Sequence, residues 1–185
     1  MKKLLWKCLA DGLTSGHDGS AWEIGKWRSE KPPTKECVGL NACPRLMYAM
    51  QYVPPIFVAQ VETGGKKIKG QDKWTCEKMK IVRAWHWKKE DSVALSVFAA
   101  ELVIGNYEKR YPDDDRPRKA IEAAKAWLLN PTEENRSAKL AAAWSAAWSA
   151  ELAAARAAVE NKFLDKIEAW LMERVKTLEE YKQGI

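Results

Sequence analysis

With 185 residues, 46% of them apolar and ten of them Trp, the chain can bury a real core, which excludes disorder for most of its length. No run of 18 apolar residues occurs, which excludes a membrane-spanning helix. The net charge of +6 is uneven: residues 1–90 hold 17 Lys and Arg against 9 Asp and Glu, whereas residues 91–185 hold 14 against 16. A basic first half points to an anionic partner, with nucleic acid or a nucleic-acid-binding machine foremost.

The first 90 residues read as a strand-rich domain. Met1-Lys2-Lys3-Leu4-Leu5-Trp6 starts like a signal peptide, but Lys7 breaks the apolar run and Asp11-Gly12 follow, which points to a cytoplasmic setting. Leu4–Leu9 is an apolar strand, and Asp11–Ser20, rich in Gly, Asp and Ser, is a loop. Ala21–Arg28 is a Trp-bearing strand, and Ser29–Lys35 with Pro32-Pro33 is an irregular connection. Cys43-Pro44 starts a short helix through Tyr52, with Met47, Met50 and Tyr48 toward the core, before Pro54-Pro55 stops it. Ile56–Val61 is a buried strand, and Thr63-Gly64-Gly65-Lys66 reads as a hairpin turn. Trp74–Trp87 is a long strand. Alternation puts Met79, Ile81, Trp85 and Trp87 on one face and Cys76, Lys78, Lys80 and Val82 on the other.

Residues 91–185 read as a helical domain. Asp91-Ser92 caps a helix running to about Ile104, where Gly105-Asn106 offers a stop or kink. Asp113-Asp114-Asp115 caps a second helix, with Pro117 in its first turn, that ends at Asn130-Pro131. The last helix starts at Thr132 and spans about 132–182. Its apolar positions, Leu140, Trp144, Trp148, Leu152, Val159, Phe163, Ile167, Trp170, Leu171, Val175 and Leu178, recur at steps of three, four and seven. Within it, 12 of the 22 residues Ser137–Ala158 are Ala, and Ala-Trp-Ser-Ala occurs twice in succession. Ala is the strongest helix former, and two Trp four residues apart share one side of a helix. This seam is longer than the two preceding helices cover, so Leu140, Trp144, Trp148 and Leu152 are candidates for partner docking or homodimerisation. The alternative is a break near Asn161 and a compact bundle.

Chemistry-bearing clusters are weak. Cys8, Cys37, Cys43 and Cys76 form no Cys-x-x-Cys pair, and their spacing to His17 and His86 matches no usual zinc pattern. Three consecutive Asp at a helix start are caps more often than a metal site. Gly64-Gly65-Lys66 lacks the gap and the Ser or Thr of a phosphate-binding loop. No local signature supports a Cys–His nucleophile. The expectation is therefore a protein that is not an enzyme and takes no metal or cofactor. Lys66, Lys67, Lys69, Lys73, Lys78 and Lys80 fall within 15 residues around Trp74. Lysines on a hairpin neutralise phosphates without reading bases, and Trp74, if exposed, would stack on one. The plain alternative is an edge strand kept from aggregating by its lysines.

Trp85-His86-Trp87-Lys88-Lys89-Glu90-Asp91-Ser92-Val93-Ala94-Leu95, Phe98–Ile104 and Tyr111-Pro112-Asp113-Asp114-Asp115-Arg116-Pro117 through Ala124 resemble a family of phage and prophage proteins of gut bacteria. Its members join a small N-terminal domain to an Ala/Trp-rich helical region similar to immunity proteins. Such relatives carry Cys-x-Gly-Phe-His-Ala-Ser where this chain has Cys37-Val38-Gly39-Leu40-Asn41-Ala42-Cys43, so any activity resting on that His is absent here. In size and character the chain is also similar to anti-CRISPR proteins that inhibit Cas9. The resemblance implies a non-enzymatic, phage-encoded inhibitor in the cytoplasm of the host bacterial cell. Its partner would be a defence nucleoprotein, the Cas9–guide RNA complex foremost, with contact to DNA. The alternative is an immunity-type protein that sequesters a toxin through its helical surface. The expected architecture is α+β, a strand-rich basic domain over 1–90 followed by a helical domain over 91–185.

Overall fold

The computed structural model describes residues 3–130 and 162–182, and the fold is α+β. The described residues fall into two compact units: 3–87 with 171–182, and 88–130 with 162–170.

The first unit is built on one antiparallel sheet. Its strands are β1 (Leu5–Leu9), β2 (Trp27–Ser29), β3 (Leu40–Ala42), β4 (Phe57–Lys69) and β5 (Trp74–His86), and the helix α1 spans Leu46–Tyr52. β5 is central. It pairs with β4 along one edge and, along the other, with β3 at residues 74–76 and β2 at residues 78–80. β1 lies on the far side of β4. Cys43, one residue beyond β3, exchanges both backbone hydrogen bonds with Trp6 of β1 at 2.7 and 2.8 Å. The sheet thereby curls back on itself, which satisfies an otherwise open edge. Leu5, Leu9, Phe57, Ala59, Val61, Met79, Ile81 and Ala84 fill its interior with Leu13 and Trp22. α1 packs on β1, burying Leu46 and Ala49.

Several local expectations are corrected here. Thr63–Lys66 is not a turn: β4 continues through it to Lys69, and the chain reverses at 70–73, where Gly70 N–H donates to Lys73 O at 2.8 Å. Gly65 and Lys66 together face Glu77, so these two residues form a β-bulge, with Gly65 at φ +67°. A second bulge leaves Val82 unmatched between the pairs Gln60–Arg83 and Val61–Ile81. Each bulge disturbs the inward alternation of β5, so Cys76, Met79, Ile81 and Ala84 share the core, while Val82 and Arg83 are both exposed. The two-face assignment that joined Trp85 to Ile81 and Cys76 to Val82 fails for that reason. The strand expected over Ala21–Arg28 is cut to Trp27–Ser29, because Gly25 takes φ +81°. In α1 the buried residues are Leu46 and Ala49; Met47, Tyr48 and Met50 are half-buried.

In the second unit, α2 (Lys89–Glu101), α3 (Ile104–Arg110) and α4 (Arg116–Leu129) gather Val97, Ile104, Ile121 and Ala124 into a core. Asp91 caps α2 from its third position, accepting Lys88 N–H at 2.7 Å. Gly105 does not stop a helix. The break falls at Val103 (φ −124°, ψ −13°), and Gly105 lies within α3. Asp115 precedes α4 without a side-chain cap; it pairs with Lys119 at 2.7 Å. Phe98 stacks on Trp170 with ring centres 5.6 Å apart.

The last described helix, α5, covers 162–177, so the expected helix ends five residues short of 182. The following segment pairs with β5 instead: Glu180 bridges to Trp85, and Tyr181 N–H donates to Ala84 O at 2.8 Å. The start of that expected helix lies outside the described residues. Ile167, Leu171 and Val175, part of the apolar seam read from the sequence, are buried.

Candidate nucleic-acid interface

The long β4–β5 hairpin carries the basic cluster. Lys66, Lys67 and Lys69 are exposed along the end of β4, and Lys78 is exposed in the middle of β5. Register aligns three strands at this place. Trp27 of β2 and Glu62 of β4 both face Lys80 across the ladder, and Ser29 and Gly64 both face Lys78. Residues directly opposite on adjacent strands project on the same side of a sheet. Trp27, Lys78, Lys80 and Glu62 therefore form one patch on the outer face, away from Met79 and Ile81.

Trp27 is the centre of that patch. Its indole lies against Gly64, where the absent side chain leaves the surface flat, and 47% of the residue remains exposed. Lys80 Nζ sits 4.9 Å from the indole centre and 3.0 Å from Glu62 Oε2. Lys80 thus braces the ring with its charge already partnered, whereas Lys78 presents its ammonium to solvent beside it. A rigid exposed aromatic ring among lysines matches the two elements of single-strand binding, a charged surface that follows the backbone and a π-face on which a base stacks.

Not every expected residue belongs to this face. Trp74 is half-buried and packs against the sheet's core, so it is not an open stacking platform. Its place at the closed end of the hairpin, next to the interior, decides this. Lys73 is half-buried, with Nζ 4.0 Å from the centre of the Tyr52 ring, and the Tyr52 hydroxyl donates to Asp72 at 2.6 Å. Leu140, Trp144, Trp148 and Leu152 lie outside the described residues. Sequence reasoning missed Trp27. Its flanks, Lys26 and Arg28, were the available signal, but ten Trp compete for a core that takes most of them.

The groups weighed for catalysis are dispersed. His17 is exposed in a loop, and His86 packs on Phe57 and Tyr181 with ring centres 4.3 and 5.4 Å away. Burial pushes the thiols of Cys8 and Cys43 up to about 12, so both stay protonated near neutrality. Asp114 accepts from Arg116 Nε at 2.8 Å and from the Tyr107 hydroxyl at 2.7 Å, which holds its carboxyl well below the usual carboxylate range.

No curated protein and no solved structure matches the chain. Residues 3–91, which carry the whole sheet, Trp27 and the lysine hairpin, are similar to a domain of unknown function (DUF7666).

Proposed function

We propose that this chain is a non-enzymatic, phage-encoded inhibitor that docks on a nucleoprotein of the host's defence through the outer face of its sheet. The observation that carries the reading is Trp27, nearly half exposed on a sheet face beside Lys78 and Lys80. Such a surface is built for a phosphate backbone with accessible bases, and not for mimicry of DNA, which needs an acidic face. The resemblance to Cas9 inhibitors makes the Cas9–guide RNA complex the first partner to test, in the cytoplasm of the host cell. That complex exposes both guide RNA and displaced DNA.

The test is plasmid cleavage by a Cas9–guide complex with titrated protein, followed by gel shift on bare single-stranded DNA and on the complex. The expected result is dose-dependent protection near stoichiometry and a shifted band. Trp27→Ala should weaken the shift about tenfold, on the scale of one lost base stack. Changing Lys66, Lys67 and Lys69 together to Glu should abolish it. Protection that survives these changes points away from the sheet face, and no shift with either target sinks the reading.

A further inference from the structure

A second feature of the sheet unit lies apart from the Trp27 face. β1 alternates Leu5, Lys7 and Leu9, and the two leucines are buried in the core. Lys7 shares their side of the strand, which is an expensive place for an ammonium. Its Nζ donates to the main-chain carbonyl of Asn41 at 3.1 Å and lies 5.2 Å from the centre of the Trp22 ring. Neither partner carries a charge. Burial first, and then the nearby Arg28, lower the pKa of Lys7, against smaller opposing effects of Cys43, Cys8 and Asp18.

Arg28 lies 5.1 Å from the same indole, so two cations share one ring. Unlike Lys7, Arg28 is compensated: its guanidinium is 3.2 Å from Glu30, 3.5 Å from Asp18 and bonded to the Ser20 hydroxyl. Both cations line a cleft of about 470 Å3 together with Trp22, Asn41, Ser20 and Lys73. The lining brings three cations, Lys7, Arg28 and Lys73, against two carboxylates, Asp18 and Glu30.

A half-buried ammonium whose direct contacts are neutral, and on which Arg28 acts more strongly than Asp18, destabilises a fold unless something supplies further negative charge. An oxyanion entering this cleft would do so, meeting Lys7 as its counter-charge and Arg28 as a second donor. The volume suits a small molecule larger than the anion alone. We infer that this cleft is a binding site for a phosphate group, free or carried on a small organic molecule, with Lys7 as its principal ligand.

The experiment is isothermal titration of the full chain with inorganic phosphate and with adenosine monophosphate, at constant ionic strength and against sodium chloride. Saturable heat is expected from a phosphate and none from chloride. Tighter binding of the nucleotide identifies a phosphate ester as the ligand, and equal binding identifies free phosphate. Lys7→Met should weaken binding at least tenfold yet melt at the same or a higher temperature, because a buried and poorly compensated charge has been removed. Lys7→Gln, which keeps a donor for Asn41, should lose binding in the same way and guards against misfolding of the first variant. Lys7→Gln should leave the gel shift on single-stranded DNA unchanged, which separates this site from the sheet face. Absence of saturable heat, or binding unaffected by both Lys7 variants, overturns the inference.

Discussion

Gly65 shows how much a single residue decides. Its positive φ places two residues of β4 opposite Glu77, and the Glu77 carboxylate accepts Lys66 N–H at 2.8 Å. A Cβ at Gly65 would fall 2.6 Å from Glu77 Oε2 and 2.8 Å from Glu77 Cβ. Gly25 has a similar backbone, φ +81°, with nothing within 4 Å of its Cβ position. Gly25→Ala should therefore cost only the left-handed backbone penalty, about 1 kcal/mol. Gly65→Ala should cost about 2 kcal/mol or more, since Glu77 must also give up its hydrogen bond. Urea unfolding of the two variants measures the difference, and equal losses would show that Glu77 moves aside freely. The sequence marked Gly64-Gly65 as a special backbone position. It could not say whether the pair turned the chain or bulged it, because that depends on which residues of β5 lie opposite.

At the scale of elements, the segment after α5 is the least expected feature. The helical periodicity runs on through Leu178 and extends the expected last helix to about 182, so it gives no sign that Leu178–Lys182 leaves the helix to meet β5. Yet these residues bind β5: His86 N–H donates to Glu179 O at 3.2 Å, and Arg83 holds Glu180 through Nε at 3.0 Å and a second nitrogen at 2.7 Å. Tyr181 packs edge-on against Phe57 with ring centres 5.0 Å apart. Tyr181→Ala should destabilise the sheet unit by about 2 kcal/mol, less than a fully buried aromatic because Tyr181 is only half-buried. Denaturant unfolding followed at the sheet checks this. The pair with Arg83 lowers the pKa of Glu180. Its contribution is complete above the ordinary glutamate range and is lost as pH falls through the lowered value. The amides that pair with this segment should accordingly lose exchange protection in acid, and Glu180→Gln should remove that pH dependence. An unchanged acid profile in Glu180→Gln would rule the pair out as its cause.

At the scale of the whole molecule, the uneven charge becomes a measurable binding law. If Lys66, Lys67, Lys69 and Lys78 each neutralise one phosphate, the logarithm of affinity for single-stranded DNA should fall with the logarithm of salt at a slope of about −3. Gel shifts at several salt concentrations give the slope; a flat line would mean that the lysines only solubilise an edge. The basic excess of the first half, the strand-rich and helical halves, the start of α4 at the Asp run and the extent of β1 and β5 were all determined by local composition and spacing. Each follows from the preferences of a residue and its near neighbours along the chain. Tertiary structure alone decided that Trp27 is exposed while Trp74 is packed inward, that Cys43 closes the sheet on Trp6, and that Lys7 meets Arg28 across Trp22. Those outcomes depend on hydrogen-bond register between distant strands, and two bulges are enough to change which side chains share a face.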